Sequence, residues 1–404
     1  MGRDMPAAFW YLWAGTIVNR LGGFVVPFLM LYLTTRLGLP PANAALLVSI
    51  LGAGSFFAQL FGGELADRLG RRPVMMLSFF VTPLAMVFVG AVHDPVLLVP
   101  AMIVLGLFTN LYRPAVSAAV VDLVPAEKRT RAFGYVYWAI NLGAAMAPII
   151  AGFLANFDYF LLFVGDAVTT AVFGAIVLLK VPETQSAEHA AAAKEPSRDR
   201  LRQALSDPML LVFTLLSLGF GVIYSQAEVT LPLDMAGHGL LPSDYGLALA
   251  VNGALIVLVT LQVTRRAEHW PRYPIMATAA LLVGTGFGLA GLAGWAPTLG
   301  FYALTVVVWT IGEVIGAAVA PTVVSEMSPP GLRGLYQGIW GSSWGLAFFA
   351  GPVIGGFVFG HYGGGVLWAG AFALGLILCA GYLLLSAPAR RRQALFEAAQ
   401  ASSR

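Results

Sequence analysis

Twelve apolar stretches follow one another along this chain, at 9–32, 42–66, 74–92, 96–121, 132–154, 159–180, 209–233, 243–264, 274–293, 297–324, 334–360 and 363–386. A membrane crossing needs about 20 apolar helical residues, and each stretch reaches or nearly reaches that length. No water-soluble core hides so much apolar surface. Of the 404 residues, 58% are hydrophobic and 11% charged, against about 25% charged in a soluble domain. Inside lipid the backbone has no water to bond, so these stretches are expected to be helices. The expected fold class is therefore an all-α membrane protein with 12 transmembrane helices. The first stretch is too long for a signal-peptide core and has no small-residue cleavage pattern, so it is expected to remain as the first span.

One long polar interruption, 181–208, carries Pro182, Pro196 and mixed charges and separates six stretches from six. The expected organisation is a bundle over 1–180, a cytoplasmic linker over 181–208, a second bundle over 209–388 and a short cytoplasmic tail over 389–404. A shift of 204 positions superposes the halves: Asp122 falls on Glu326, Pro125 on Pro329, Arg129 on Arg333, Gly134 on Gly338, Pro148 on Pro352 and Gly152 on Gly356. Such a repeat implies two bundles related by a pseudo-two-fold axis along the membrane normal, with substrate expected between them. Basic residues fix the orientation. Arg3, Arg68, Arg71, Arg72, Lys128, Arg129, Arg131, Lys194, Arg198, Arg200, Arg202, Arg265, Arg266, Arg272, Arg333, Arg390, Arg391 and Arg392 fall on one side, and the opposite loops offer Arg36. Both termini are expected in the cytoplasm.

Several functional classes drop out. The net charge is +3 and the basic clusters lack interleaved aromatics, so no nucleic-acid partner is expected. Cys379 is the single cysteine and makes neither a disulfide nor a metal site. The histidines have no paired ligand spacing. Gly341–Gly345 fits G-x-S-x-G, and Gly286–Gly291 fits G-x-G-x-x-G. Both lie inside apolar stretches without a preceding strand, which removes their chemistry. Lys128, Lys180 and Lys194 each follow a residue other than glycine, so no Walker loop exists. No enzyme activity, cofactor or ATPase subunit is expected. A proton gradient remains as the energy source, and the chain is expected to act as a monomer.

Charges inside the apolar stretches cost roughly 2.5–3.5 kcal/mol each even on the lenient insertion scale, so each survivor carries information. Arg20, Arg113, Asp166, Glu228 and Glu313 are such residues. Arg20 follows Asn19 in the first stretch. Arg113 follows Tyr112 in the fourth, where Pro114 removes a backbone donor. The two arginines read either as a site for a substrate anion or charge relay, or as static salt-bridge partners. Glu313, with Trp309 on the same stretch, makes the second half's face negative, and Tyr224, Gln226 and Glu228 lie nearer the outer side. Proton coupling requires a group that is neutral when shielded and ionised when exposed or paired, and Glu313 is the first choice for it. Asp166 is expected to be a structural partner.

The turn Gly63-Glu64-Leu65-Ala66-Asp67-Arg68-Leu69-Gly70-Arg71-Arg72 has the form G-x-x-x-D-R-x-G-R-R. It resembles the loop between helices 2 and 3 of the major facilitator superfamily of secondary transporters. That resemblance implies helices 1, 4, 7 and 10 lining a cavity, the stretches that carry Arg20, Arg113, Glu228 and Glu313. It also implies a cytoplasmic gate formed by Gly63, Asp67, Arg68, Gly70, Arg71 and Arg72 together with Asp122. Gly63 is expected to permit a close helix approach and Gly70 a sharp turn. Asp67 is expected near the helix start at Gly334, where a dipole favours an anion. The matching region of the second half, 262–274, keeps Arg265, Arg266 and Arg272 without the glycine and acid, which makes the gate asymmetric.

Gly143, Pro148 and Gly152 in the fifth stretch resemble the G-x-x-x-G-P-x-x-G-G pattern of proton-coupled exporters, with Ala147 and Ala151 at two glycine positions. Gly351, Pro352, Gly355 and Gly356 form a fuller version, and close helix packing by small residues explains much of both. The function expected is proton-coupled export of amphipathic small molecules or drugs, in the inner membrane of a bacterium. One alternative is a proton-coupled importer of peptides or other zwitterions. Asn19-Arg20 and Gly312-Glu313 faintly resemble oligopeptide symporters, although the acidic residues preceding that family's helix-1 arginine are missing. A lipid flippase and a non-transporting sensor are the remaining alternatives; the short tail after 388 argues against the sensor.

Overall fold

The computed structural model of the chain describes residues 5–125, 128–184, 198–267, 270–329 and 332–402. Arg3, Lys194 and Pro196 of the sequence reading lie outside the described residues. Of Arg198, Arg200, Arg265, Arg333, Arg390 and Arg392 only the backbone is described.

The described residues are helical almost throughout. In chain order the helices are α1 (Ala7–Leu21), α2 (Val25–Leu31) with a π-helical turn Tyr32–Arg36, α3 (Pro41–Leu69), α4 (Arg71–Ala91), α5 (Pro95–Thr109), α6 (Tyr112–Leu123), α7 (Arg129–Phe157), α8 (Phe160–Lys180), α9 (Arg198–Leu205), α10 (Pro208–Val229), α11 (Leu231–Gly237), α12 (Pro242–Ala267), α13 (Arg272–Ala290), α14 (Leu299–Met327) and α15 (Arg333–Ser402). Local chemistry sets several starts. Pro41 and Pro95 occupy first turns, where a missing N–H costs nothing. The Asp94 carboxylate accepts the Val96 N–H at 2.9 Å and the Thr298 hydroxyl accepts the Phe301 N–H at 3.3 Å, both as N-caps.

Among the described residues, 11 helical runs are long and apolar enough to cross a membrane, with α1 through Arg36 and α5 through α6 counted as single runs. The expected stretches 334–360 and 363–386 join in one run, Leu335–Ala389, of 55 residues. That is about 80 Å of helix, and a non-helical Gly363 (φ 80°, ψ 172°) interrupts it.

The first and fourth expected spans are each broken. Span 1 stops at Leu21 and resumes at Val25; span 4 stops at Thr109 and resumes at Tyr112. In span 4 the donor that would serve the Asn110 carbonyl belongs to Pro114 and is missing. The Arg113 N–H takes that carbonyl instead, at 3.2 Å. Both intramembrane arginines therefore sit beside a break.

By contacts the chain forms two compact units, Met1–Lys194 with Glu228–Gly253, and Glu195–Ala227 with Ala254–Arg404. The C-terminal end of span 7 and half of span 8 thus group with the first half. In the first unit α4 packs on α8, α3 on α5, and α1 on α7 and α8, around a core that includes Phe9, Met75, Phe79, Val116 and Phe173. In the second, α13 packs on α14 and α15. Close approach requires Gly246, because a Cβ there would lie 2.2 Å from the Pro148 carbonyl oxygen. No side chain fits between α7 and α12 at that point.

Candidate functional site

In the first unit a polar chain links three spans. The Tyr112 hydroxyl donates to Asn19 Oδ1 at 2.9 Å. Asn19 Nδ2 donates to Thr170 Oγ1 at 2.9 Å, and the Thr170 hydroxyl reaches Asp166 Oδ1 at 3.5 Å. The other Asp166 oxygen accepts the Val25 N–H at 3.3 Å, while the Phe24 N–H donates to the Gly22 carbonyl at 2.7 Å. Asp166 is thus the N-cap of α2, supplied from another helix. It serves a donor left open by the break in span 1, which has no water to turn to inside a bilayer. Arg20, at the end of α1, acts electrostatically on both Asp166 and Arg113. The Nε atoms of both arginines are buried without a hydrogen-bond partner. Tyr112 does not line open space: it is 7% exposed and packs on Phe79 and Phe173. Glu228 also belongs to this unit, within electrostatic reach of Tyr245. Tyr245 lines an apolar cavity of about 240 Å³ with Leu31, Thr35, Tyr159 and Met235.

The second unit holds a cavity of about 280 Å³. Glu313, Gly316, Ala317 and Ala320 present one face of α14 to it, spaced as one helical stripe. Small side chains follow the carboxylate along that stripe, and the missing volume is the cavity. Phe220, Tyr224, Trp340, Trp344 and Tyr382 form the aromatic wall. The Tyr224 hydroxyl donates to Glu313 Oε1 at 3.0 Å. Trp340 Nε1 donates to Ser217 Oγ at 3.0 Å, with the Tyr382 hydroxyl 3.5 Å from the same oxygen. Trp309 is 1% exposed and stacks on Phe287 behind Tyr224, so it supports the wall. The Gln226 amide donates to the Gly351 carbonyl at 3.0 Å and ties α10 to α15. The glycine-proline motifs also serve packing. A Cβ at Gly143 would meet Arg20, one at Gly152 the Pro242 carbonyl, and ones at Gly351 and Gly355 the Ser225 and Gln226 side chains. Pro148 and Pro352 lie within α7 and α15, and Gly356 is buried in α15.

At the arginine-rich end of the first unit, Arg71 is the centre of a cluster. Its guanidinium bonds the Asp67 carboxylate and lies 3.4 Å from Asp122 Oδ2. Glu183 accepts the backbone N–H groups of Arg71 and Arg72, each at 3.0 Å. It caps α4 from beyond the end of α8. Arg68 pairs with Glu64 on the exposed surface, and Arg72 donates to the Leu178 carbonyl at 2.6 Å. The second unit has an arginine–acid pair of the same kind: Arg272, first in α13, lies 3.2 Å from Glu326 near the end of α14. The asymmetry expected at this position is therefore partial, since the glycine and first acid are gone but the arginine–acid pair remains.

Gly63 corrects the sequence reading. A Cβ there would meet nothing within 4 Å, so it permits no close approach. Its neighbour Gly62 does, since a Cβ there would lie 3.2 Å from the Leu111 carbonyl oxygen. Gly70, with φ 104° and ψ 155°, adopts a conformation closed to other residues, and a Cβ would come 2.7 Å from Glu183 Oε2. Gly70→Ala is therefore expected to destabilise the protein by about 1–3 kcal/mol, and Gly63→Ala to change stability by less than about 0.5 kcal/mol. Thermal unfolding of the two variants in detergent compares them directly.

Residues 12–309, and in a second match 227–403, fit the family pattern of the Major Facilitator Superfamily. The chain belongs to that superfamily. Among curated relatives of this superfamily member, the uncharacterized MFS-type transporter YhjO of Bacillus subtilis is 28% identical over 92% of this chain and 90% of its own length. The multidrug resistance protein MdtH of Salmonella arizonae is 27% identical over 89% and 85%. A Na(+), Li(+), K(+)/H(+) antiporter of Planococcus maritimus is 24% identical over 79% and 81%. The fold is similar to that of a variant of the nucleoside transporter NupG, with a TM-score of 0.81 at 13% identity over 94% of this chain and 99% of that one. A POT family transporter in complex with 5-aminolevulinic acid gives a TM-score of 0.79 at 16% identity, over 95% and 97%. The protein is a membrane protein of a transporter superfamily.

Proposed function

We propose that this protein is a proton-coupled secondary transporter that exports amphipathic small molecules by alternating access. The observation that carries this reading is the cavity of the second unit, about 280 Å³ in volume, with aromatic walls and Glu313 as the one carboxylate among its described lining residues. Aromatic faces attract organic cations, and a carboxylate offers a charge for which a proton competes with the substrate. The MdtH and cation/H(+) antiporter relatives weigh toward export against protons. In this reading Gly363 divides Leu335–Ala389 into two crossings, which makes twelve. The basic residues then place both termini in the cytoplasm, in a bacterial inner membrane. Asp67, Arg68, Arg71, Arg72 and Asp122 act as the cytoplasmic gate.

A second reading is import of a zwitterion. The Arg20–Arg113 pair, each with its Nε buried, suits a carboxylate, and the POT family neighbour points the same way. Purified protein in liposomes under an imposed proton gradient separates the two. Concentration of a lipophilic cation such as tetraphenylphosphonium, dependent on the gradient and opposite in direction to proton flow, is expected. Movement of a dipeptide in the direction of proton flow, with the cation untouched, would replace the first reading by the second.

A further inference from the structure

The short helix α9 reads Arg-Asp-Arg-Leu-Arg-Gln-Ala-Leu from Arg198 to Leu205, and none of it is among the described lining residues of the cavity. Its apolar residues are divided between two environments. Ala204 is fully buried, and the helix packs on α15. Leu201 and Leu205, one turn apart, are 40% and 48% exposed. The following corner is held firmly. Asp207 Oδ1 accepts the Met209 N–H at 3.0 Å, and its Oδ2 accepts the Tyr336 hydroxyl at 2.7 Å. α9 is thereby fixed just before Pro208, where the apolar run of α10 begins. Two leucines are held off the protein at the rim of a membrane-crossing helix, with the exposed Arg202 between them and three arginines against one aspartate in five residues.

We infer that α9 is an interfacial helix whose partner is the anionic phospholipid of the adjoining leaflet. Leu201 and Leu205 enter the boundary between headgroups and acyl chains, and the exposed Arg202 meets lipid phosphate. Amphipathic helices with this one-sided chemistry lie in the membrane plane, and basic residues close to an anionic surface each strengthen binding on the order of fivefold. The corner at Asp207 fixes the depth of the leucines, so lipid composition acts on the second unit through α9. The inference takes from the proposed topology only the identity of the leaflet.

The test uses full-length protein carrying Cys379→Ala, which removes the single native cysteine, with a nitroxide at Leu205→Cys or at Gln203→Cys. The liposomes are phosphatidylcholine alone, or with about one-third phosphatidylglycerol, enough to give an anionic surface. The label at position 205 is expected to collide with lipid-dissolved oxygen more than with a water-soluble nickel chelate, and the label at 203 the reverse. Phosphatidylglycerol is expected to deepen the 205 label, and Arg198→Gln with Arg202→Gln to cancel that deepening. Equal chelate access at 203 and 205, or the same depth at 205 in both lipids, overturns the inference. No transport is read, so a failed transport assay leaves it standing. Chelate added only outside sealed, uniformly oriented vesicles reports the side of the membrane separately.

Discussion

Glu313→Gln is expected to abolish proton-driven accumulation of substrate while leaving the protein folded. The amide is nearly the same size and keeps an oxygen for the Tyr224 hydroxyl, now 3.0 Å from Glu313 Oε1, so the aromatic wall has no reason to move. What disappears is a group that carries either a charge or a proton. A hydrogen bond to a charged group contributes about 1.5–3 kcal/mol, so affinity for a cationic substrate should fall on the order of 10- to 150-fold. Uphill transport should fall further, because proton and substrate no longer compete for one site. The dependence of transport on pH should flatten as well. Tyr224→Phe supplies the graded control: it removes one hydroxyl and keeps the charge, and its effect should be several-fold. Flux of a lipophilic cation in liposomes at several pH values measures all three. If the glutamine variant transports with an unchanged pH profile, Glu313 is not the coupling group.

The sequence carried much of the fold and a smaller part of this site, for physical reasons. Hydrophobic length is a local property, so the spans were legible, and so was the uneven distribution of arginines. Intramembrane charge is costly, and that pointed to Glu313 and the two arginines from composition alone. Burial of a particular side chain is a tertiary property. Nothing local in Tyr112 or Trp309 tells that they pack inside a wall, 7% and 1% exposed. Nor does anything mark Glu183 as the cap of α4, because its partner Arg71 is 112 positions away. The break in span 4 had a signal in Pro114. The cavity had one too: after Glu313, the small residues Gly316, Ala317 and Ala320 form a stripe at helical spacing. The preserved pair Arg272–Glu326 was half visible, since the repeat aligns Glu326 with Asp122, but the repeat does not name the arginine that meets it. Gly63 shows the opposite error, a family glycine credited with a contact that its neighbour Gly62 makes.

Asp166→Ala is expected to be the most damaging single change in the first unit. It leaves the Val25 N–H at the start of α2 without its acceptor. The Thr170 hydroxyl, which joins Asn19 to the carboxylate, loses its onward partner. It also removes the acid on which Arg20 acts, so the arginine pair keeps its charge with less compensation. A buried donor left without its acceptor costs about 1–3 kcal/mol, and the Val25 N–H and the Thr170 hydroxyl both lose the carboxylate. Some of this overlaps, but even the smaller figure is a large share of a protein's stability. Asp166→Asn separates acceptor from charge, because it retains an acceptor for the Val25 amide and surrenders the charge; it should fall between wild type and alanine. Arg20→Gln combined with Asp166→Asn should recover part of the loss, with a coupling of about 1 kcal/mol or more for residues in one network. Unfolding midpoints of the four proteins in detergent decide it. If Asp166→Ala melts with wild type, the broken helix needs no cap from α8. If the double variant is simply the sum of its parts, Arg20 and Asp166 share no network.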